Sequence, residues 1–211
     1  MSESKLRVLC LHGYRQNGIL FREKTGSFRK LMKKYADFEF VSAPLIPSVA
    51  DEVRRDDARA WWFSKASDEF SSRDVTEIAT GFDESVSSVV DFVKENGPFD
   101  GLFGFSQGAS MCHLLLALEK AGKIQLNFKF AILCAGFLSL SSVHSSLLTY
   151  NFDIPSFHIY GESDDIVNSK RSIELASKFE NSRCVTHEGG HCVPSMTKNK
   201  EQIKEFFDSL V

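Results

Sequence analysis

The sequence lacks the features that would take it out of the class of soluble globular proteins. No window approaches the roughly 18 consecutive apolar residues of a membrane-spanning helix, so none is expected. Neither sign of charge dominates: 25 Lys and Arg stand against 28 Asp and Glu, a net charge of -3. Nothing in that balance steers the chain toward nucleic acid or an anionic membrane surface, and neither is expected as a partner. Cysteines are few and odd in number, five in all, with no C-x-x-C pair, which argues against zinc ribbons and thioredoxin-like redox chemistry. Cys10, Cys112 and Cys134 sit among apolar neighbours and read as buried thiols, as suits a reducing, cytoplasmic compartment. The opening Met1-Ser2-Glu3-Ser4-Lys5 has no basic region followed by an apolar one, so no secretory signal is expected. Histidines do not cluster with cysteines or acids, and the reading calls for no metal and no cofactor. Internal repeats and low-complexity linkers are also missing.

What is present is an ordinary globular composition over 211 residues, 43% apolar and 25% charged, which suggests one domain spanning 1–211. Phenylalanine is in excess, with 19 residues against 2 Trp and 4 Tyr. So much oxygen-free aromatic bulk implies a bulky core, a greasy pocket, or both.

Apolar runs of strand type alternate with helical patterns, the signature of an α/β domain with a mostly parallel sheet and helices on both faces. Strands are predicted at 6–11, 38–41, 99–105, 128–134, 156–160 and 184–187, and helices at 27–35, 76–95, 107–121, 169–179 and 200–210. Between 43 and 75 no period holds, and this stretch reads as an irregular or lid-like insertion. It carries a charged run from Asp51 to Arg59, read as a solvated helix face, and then Trp61-Trp62-Phe63.

Gly104-Phe105-Ser106-Gln107-Gly108 fits G-x-S-x-G. In that motif the serine occupies a strained turn between strand and helix, and small flanking residues let the chains pack closely. The pentad gains weight from its context, since an apolar strand enters it and an apolar helix leaves it. A serine nucleophile needs a histidine to take its proton and a carboxylate to hold that histidine. Downstream, Gly161-Glu162-Ser163-Asp164-Asp165-Ile166-Val167 follows the fifth strand. Asp164 fits a G-x-x-D-x-x-V pattern; Asp165 is the rival, better suited to capping the next helix, and Glu162 is a third choice. After the sixth strand, Gly189-Gly190-His191 projects a loop histidine. His187 lies inside the strand and is the weaker base. His113 reads as a satisfied core residue, and His144 and His158 as structural.

An oxyanion hole of this type takes one N–H from the residue after the nucleophile, Gln107, and another from the loop after an earlier strand. Leu11-His12-Gly13-Tyr14 ends the first strand, so the second donor is assigned to the Tyr14 N–H and His12 to orienting the loop. Trp61-Trp62-Phe63 reads either as core or as the wall or lid of a pocket, and Trp61, Trp62, Phe63, Phe105 and Phe137 are the candidates to contact substrate.

The sequence resembles the FSH-type eukaryotic serine hydrolases, the α/β-hydrolase family that includes the ovarian-cancer-associated hydrolase. The resemblance rests on Arg7-Val8-Leu9-Cys10-Leu11-His12-Gly13-Tyr14-Arg15-Gln16, Phe21-Arg22-Glu23-Lys24-Thr25-Gly26, Trp61-Trp62-Phe63, the Gly97-to-Ala109 stretch around the elbow, and Gly189-Gly190-His191. It implies an α/β-hydrolase fold of minimal size, a Ser106-Asp164-His191 triad, and hydrolysis of small-molecule carboxylic esters with a preference for straight acyl chains. The middle loop departs from some relatives in being shorter and more charged. The same triad also serves an acyl-thioesterase or protein deacylase. A ligand-binding α/β-hydrolase-fold protein without catalysis is the reading from another class.

Overall fold

The computed structural model describes residues 5–48 and 57–210. The predicted solvated face of the charged run falls mostly on 51–56, outside the described residues. Six strands form one wholly parallel sheet: β1 (Leu6–Leu11), β2 (Ala36–Val41), β3 (Gly101–Phe105), β4 (Phe130–Cys134), β5 (Ser156–Gly161) and β6 (Ser182–His187). The spatial order is β2-β1-β3-β4-β5-β6.

Every strand predicted from apolar runs is present. The central ones carry apolar side chains on both faces, as parallel strands covered on both sides must. Leu9, Leu11, Leu102, Ala131 and Leu133 pack into one core with α3 (Phe82–Asn96), α4 (Gln107–Lys120) and α5 (Ser169–Ala176). Their neighbours Val8, Cys10, Phe103, Phe130 and Ile132 face the opposite core, with α1 (Gly18–Lys24), α2 (Gly26–Met32) and α6 (Lys200–Asp208). The phenylalanine excess is concentrated on this second face, where Phe21, Phe28, Phe103, Phe130, Phe157, Phe206 and Phe207 are all buried.

Helix α1 is additional to the sequence expectation. Asn17 nucleates it, its side chain accepting from the Leu20 N–H at 2.8 Å. Helix α3 begins at Phe82 rather than near residue 76, because Gly81 adopts a left-handed conformation (φ 80°) before it and Thr76 instead bridges to Ser141. Asp83 and Glu84 fall in the true first turn, where the helix dipole favours acids. The cap of α5 is Asn168, whose side chain accepts from the Lys170 N–H at 3.0 Å; Asp165 does not cap it.

Residues 57–81 contain no regular helix or strand, but they are pinned by isolated bridges: Gln16 to Arg59, Leu45 to Ala60, and Phe63 to Thr80. All five cysteines are free, with Cys10, Cys112 and Cys134 buried and Cys184 and Cys192 exposed. No helix among the described residues is long and apolar enough to cross a membrane.

His113 corrects the expectation of a satisfied core residue. It is fully buried, neither ring nitrogen has a hydrogen-bond partner among the described residues, and it packs edge-on against Phe152. Burial drives its pKa down to about 3, so it sits in the core as a neutral ring. His158 and His144 are structural as expected, paired with Ser156 at 2.9 Å and Ser139 at 2.8 Å.

Candidate active site

The chain runs from β1 to β2 on one side and returns to β3 on the other, so the crevice beyond β1 and β3 is a topological switch point, where open α/β sheets place their sites. Two loops meet there. One is 12–16, leaving β1. The other is the turn at Ser106, between β3 and α4.

Ser106 has φ 54° and ψ -118°, a conformation costly for a residue with a side chain. The surroundings enforce it. The Ser106 N–H is held by the Cys134 carbonyl at 2.9 Å, and its own carbonyl accepts from the Ser110 N–H at 3.1 Å. A side chain at Gly104 would lie 2.5 Å from Ala109 Cα, and one at Gly108 would lie 2.2 Å from the Leu11 carbonyl oxygen. Both glycines therefore keep α4 tight against β3 and β1, which fixes the elbow.

The three residues singled out for the triad converge. His191 Nε2 is 2.8 Å from Ser106 Oγ, and His191 Nδ1 is 2.7 Å from Asp164 Oδ2. The Asp164 carboxylate is fully buried, and its second oxygen accepts from the amides of Ile166 and Val167, each at 2.9 Å. Those bonds hold the charge and aim the free lone pair at the imidazole. The alternatives fall away on position. Asp165 is exposed and offers only its main-chain oxygen, to Arg73. Glu162 accepts from the Thr186 hydroxyl at 2.9 Å. His187 stays at the end of β6, its Nε2 buried without a partner among the described residues.

The glycines before His191 act differently from expectation. Neither Gly189 nor Gly190 uses a left-handed conformation. The tight contact is made by Gly161 at the end of β5, where a side chain would stand 2.2 Å from the Gly189 oxygen and 2.7 Å from the Gly190 oxygen. The missing Cβ at 161 lets the histidine loop close over the strand.

Loop 12–16 is held by a set of inward bonds. His12 is fully buried, and burial lowers its pKa to about 4, so it is neutral. Its Nε2 accepts from the Ala43 N–H at 2.9 Å, which leaves Nδ1 to donate to the Gly13 oxygen at 2.8 Å. The Gln16 N–H reaches the same oxygen at 3.1 Å. A peptide unit is planar and trans, so fixing the Gly13 carbonyl fixes the Tyr14 N–H in the opposite direction. That N–H has no acceptor among the described residues. The loop runs close to the serine, since a side chain at Gly13 would come within 3.4 Å of Ser106 Cβ. Gln107 begins α4, so its amide is one of the helix-terminal donors that lack an intrahelical acceptor. The geometry thus offers a serine hydroxyl, an imidazole, a carboxylate and two amides without acceptors among the described residues around one crevice.

The aromatic residues named as candidates to contact substrate are buried against protein. Trp61 and Trp62 are 0% and 1% exposed. Trp62 packs against Phe70, Phe82 and His144, and Phe63 pairs with Thr80. Phe137 is stacked on Phe70 and capped by the Arg171 guanidinium at 4.7 Å. The space left between Trp62, Phe70 and Phe137 is only about 10 Å³. Phe105 supports the imidazole of His191, ring centres 4.9 Å apart, rather than an acyl chain. These side chains are filled core because tight packing leaves no wall to expose. An open recess of about 290 Å³ lies instead along Tyr14, Phe70, Ser71, Ser72, Arg73 and Ile166. It joins the oxyanion loop to the segment after Asp164. Phe70 and Ile166 carry no sequence motif, but Ile166 is a large apolar side chain left 53% exposed two residues past the acid.

A family model described as "Serine hydrolase (FSH1)" matches residues 1–203. Among curated proteins, the chain is 53% identical over 209 residues to "Esterase C25G4.2" of Caenorhabditis elegans, covering 97% of this chain and 94% of that one. It is 38% identical over 222 residues to "Esterase OVCA2" of Danio rerio, covering 98% of each. Among solved structures, it resembles the acyl-protein thioesterase 2 of Zea mays with a TM-score of 0.64 at 19% identity, covering 96% of this chain and 94% of that one.

Proposed function

The chain belongs to the FSH1 serine hydrolase family, an esterase family of α/β-hydrolase fold, and from that premise we propose that it cleaves straight-chain acyl esters through Ser106, His191 and Asp164. The observation that carries the reading is the unbroken relay from Ser106 Oγ through His191 to the buried Asp164 carboxylate, at 2.8 and 2.7 Å.

The serine oxygen attacks the ester carbonyl carbon while His191 Nε2 takes its proton. The resulting imidazolium is stabilised by the Asp164 carboxylate, which stays ionised. The carbonyl oxygen becomes an alkoxide held by the Tyr14 and Gln107 amides, with the N-terminus of α4 adding a favourable dipole. When the tetrahedral species collapses, His191 returns the proton to the leaving alcohol and Ser106 keeps the acyl group. Water then repeats the sequence, with His191 as base, and releases the acid. The recess beside Tyr14 seats the acyl chain, with Phe70 and Ile166 as its apolar contacts.

A panel of p-nitrophenyl esters from acetate to laurate tests both parts. kcat/KM should rise along the short chains by up to about fourfold per methylene, the value of burying one CH₂, and level off once the chain outgrows the recess. Peak activity on acetate with none beyond butyrate would overturn the chain-seat assignment. The same acyl groups offered as thioesters decide between ester and thioester preference.

A further inference from the structure

The two proposed oxyanion donors come from different elements, and the sheet holds those elements together only up to its edge. β1 and β3 pair as far as Leu11 and Gly104. Beyond that register the loop bearing Tyr14 and the turn bearing Gln107 share no ladder bond, yet the distance between their amides sets how well an oxyanion is held.

A third segment crosses both. On the β1 side, the Arg59 N–H donates to the Gln16 oxygen and the Arg15 N–H to the Arg59 oxygen, both at 2.9 Å. The Trp61 indole Nε1–H donates to the His12 oxygen at 2.8 Å, and the indole lies beside the His12 ring with centroids 5.1 Å apart. On the β3 side, the Gln107 carboxamide bonds in both directions: its Oε1 accepts from the Trp61 N–H at 3.0 Å, and its Nε2 donates to the Trp62 oxygen at 2.8 Å. His12, Trp61 and Gln107 are all fully buried.

We infer that residues 59–62 form a brace that fixes the spacing of the oxyanion-hole amides, with Trp61 and the side chain of Gln107 as positioning residues. This rests on the ester-hydrolysis reading given above. The brace acts at the donors themselves. The Gln107 carboxamide hangs from the Cα whose own amide faces the site, and the Trp61 indole grips the carbonyl two residues before Tyr14. Shifting either loop would leave buried polar groups unpaired, at about 1–3 kcal/mol each, so the arrangement is stiff. The residue types follow from this. Tryptophan alone combines a large apolar body with an N–H donor and no acceptor, and glutamine supplies one acceptor and one donor where glutamate would supply only acceptors.

The test is Trp61→Phe, which keeps an aromatic ring in the core but removes the indole N–H, together with Gln107→Glu. Removing a whole oxyanion donor lowers kcat by about 10²–10³, and a displacement of about 1 Å has a comparable cost. Trp61→Phe should therefore lower kcat by about 10- to 100-fold with KM within about threefold, and Gln107→Glu should lower it further. In Trp61→Phe, which adds no charge, the pH at which activity is half lost on the acid side should not move, because His191 and Asp164 lie outside the brace. Phe179→Leu, a truncation in the same core cluster as Trp61 but packed on Phe152 and His158, serves as the stability control. It should lower Tm without lowering kcat at a temperature where the protein is folded. A folded Trp61→Phe protein with kcat within twofold of wild type overturns the inference, as does an equal loss in Phe179→Leu. The ¹H–¹⁵N resonances of Tyr14 and Gln107 in Trp61→Phe give a readout that needs no turnover. Both should move while those of β4 and β5 stay, and unmoved resonances overturn the brace. If instead Ser106→Ala hydrolyses esters as well as wild type, the ester reading fails and the resonances still decide the brace.

Discussion

Asp164→Asn is expected to lower kcat by about 10⁴-fold, the loss produced when a triad histidine is held in the wrong tautomer, while KM changes little. In the protein as it stands, Asp164 Oδ2 accepts the Nδ1 proton of His191 at 2.7 Å, leaving Nε2 free to take the serine proton. An asparagine amide turned toward Nδ1 would donate instead. The ring proton would then sit on Nε2, where it faces the serine and cannot accept. The fold should survive, because the other side-chain oxygen can still accept from the Ile166 and Val167 amides. Asp165→Asn makes the matched comparison. Its carboxylate is exposed and has no ion-pair partner among the described residues, and only its main-chain oxygen is engaged, so turnover should stay within about twofold of wild type on the scale of ordinary surface substitutions. Steady-state kinetics of the two variants checks the assignment, and the reverse pattern would move the acid by one residue.

Gly161→Ala should lower turnover by about 100-fold while sparing the fold. The added methyl would stand 2.2 and 2.7 Å from the Gly189 and Gly190 oxygens. Both contacts are with backbone, which cannot swing aside as a long side chain would. The loop must retreat by roughly 1 Å, and a misplacement of that size costs about 100-fold in rate. His191 rides on that loop, so kcat should fall at least that far. The β5–β6 pairing from Ser156 to Gly161 stays intact, so circular dichroism should be unchanged and Tm should drop only modestly. A variant retaining more than a third of wild-type kcat would show that the loop is not held by that contact.

Much of this architecture was legible in the chain. The four inner strands, β1, β3, β4 and β5, announce themselves as short apolar runs, while the edge strands β2 and β6 are more polar and more exposed. That Ser106, Asp164 and His191 would meet was legible because each stands just past the carboxyl end of a strand, on the side where open α/β sheets place their sites. What escaped was set by distance in sequence. Trp61-Trp62-Phe63 could be read equally as core or as a pocket wall, because aromatic composition reports burial without saying whether the buried face meets protein or ligand. Its partners are Gln107, forty-six residues away, and His12, forty-nine away, and no local period encodes such contacts. A polar glutamine heading an otherwise apolar helix was the one available hint. The glycine effect at the histidine loop was misplaced for a related reason. Gly189 and Gly190 suggest local freedom, whereas the close approach belongs to Gly161 on the neighbouring strand. Likewise His113 could not be recognised as unpaired, since a histidine in an apolar helix reads the same whether or not a distant group meets it.

The central claim is that Ser106 is an activated nucleophile rather than the corner of a structural turn. Covalent labelling by a fluorophosphonate, followed by intact-mass and peptide analysis, tests it most directly. The account predicts a single adduct on Ser106 in the wild type, much slower labelling in Asp164→Asn, and no adduct in Ser106→Ala. A wild-type protein that stays unlabelled, or a Ser106→Ala protein labelled at the same rate, would contradict it.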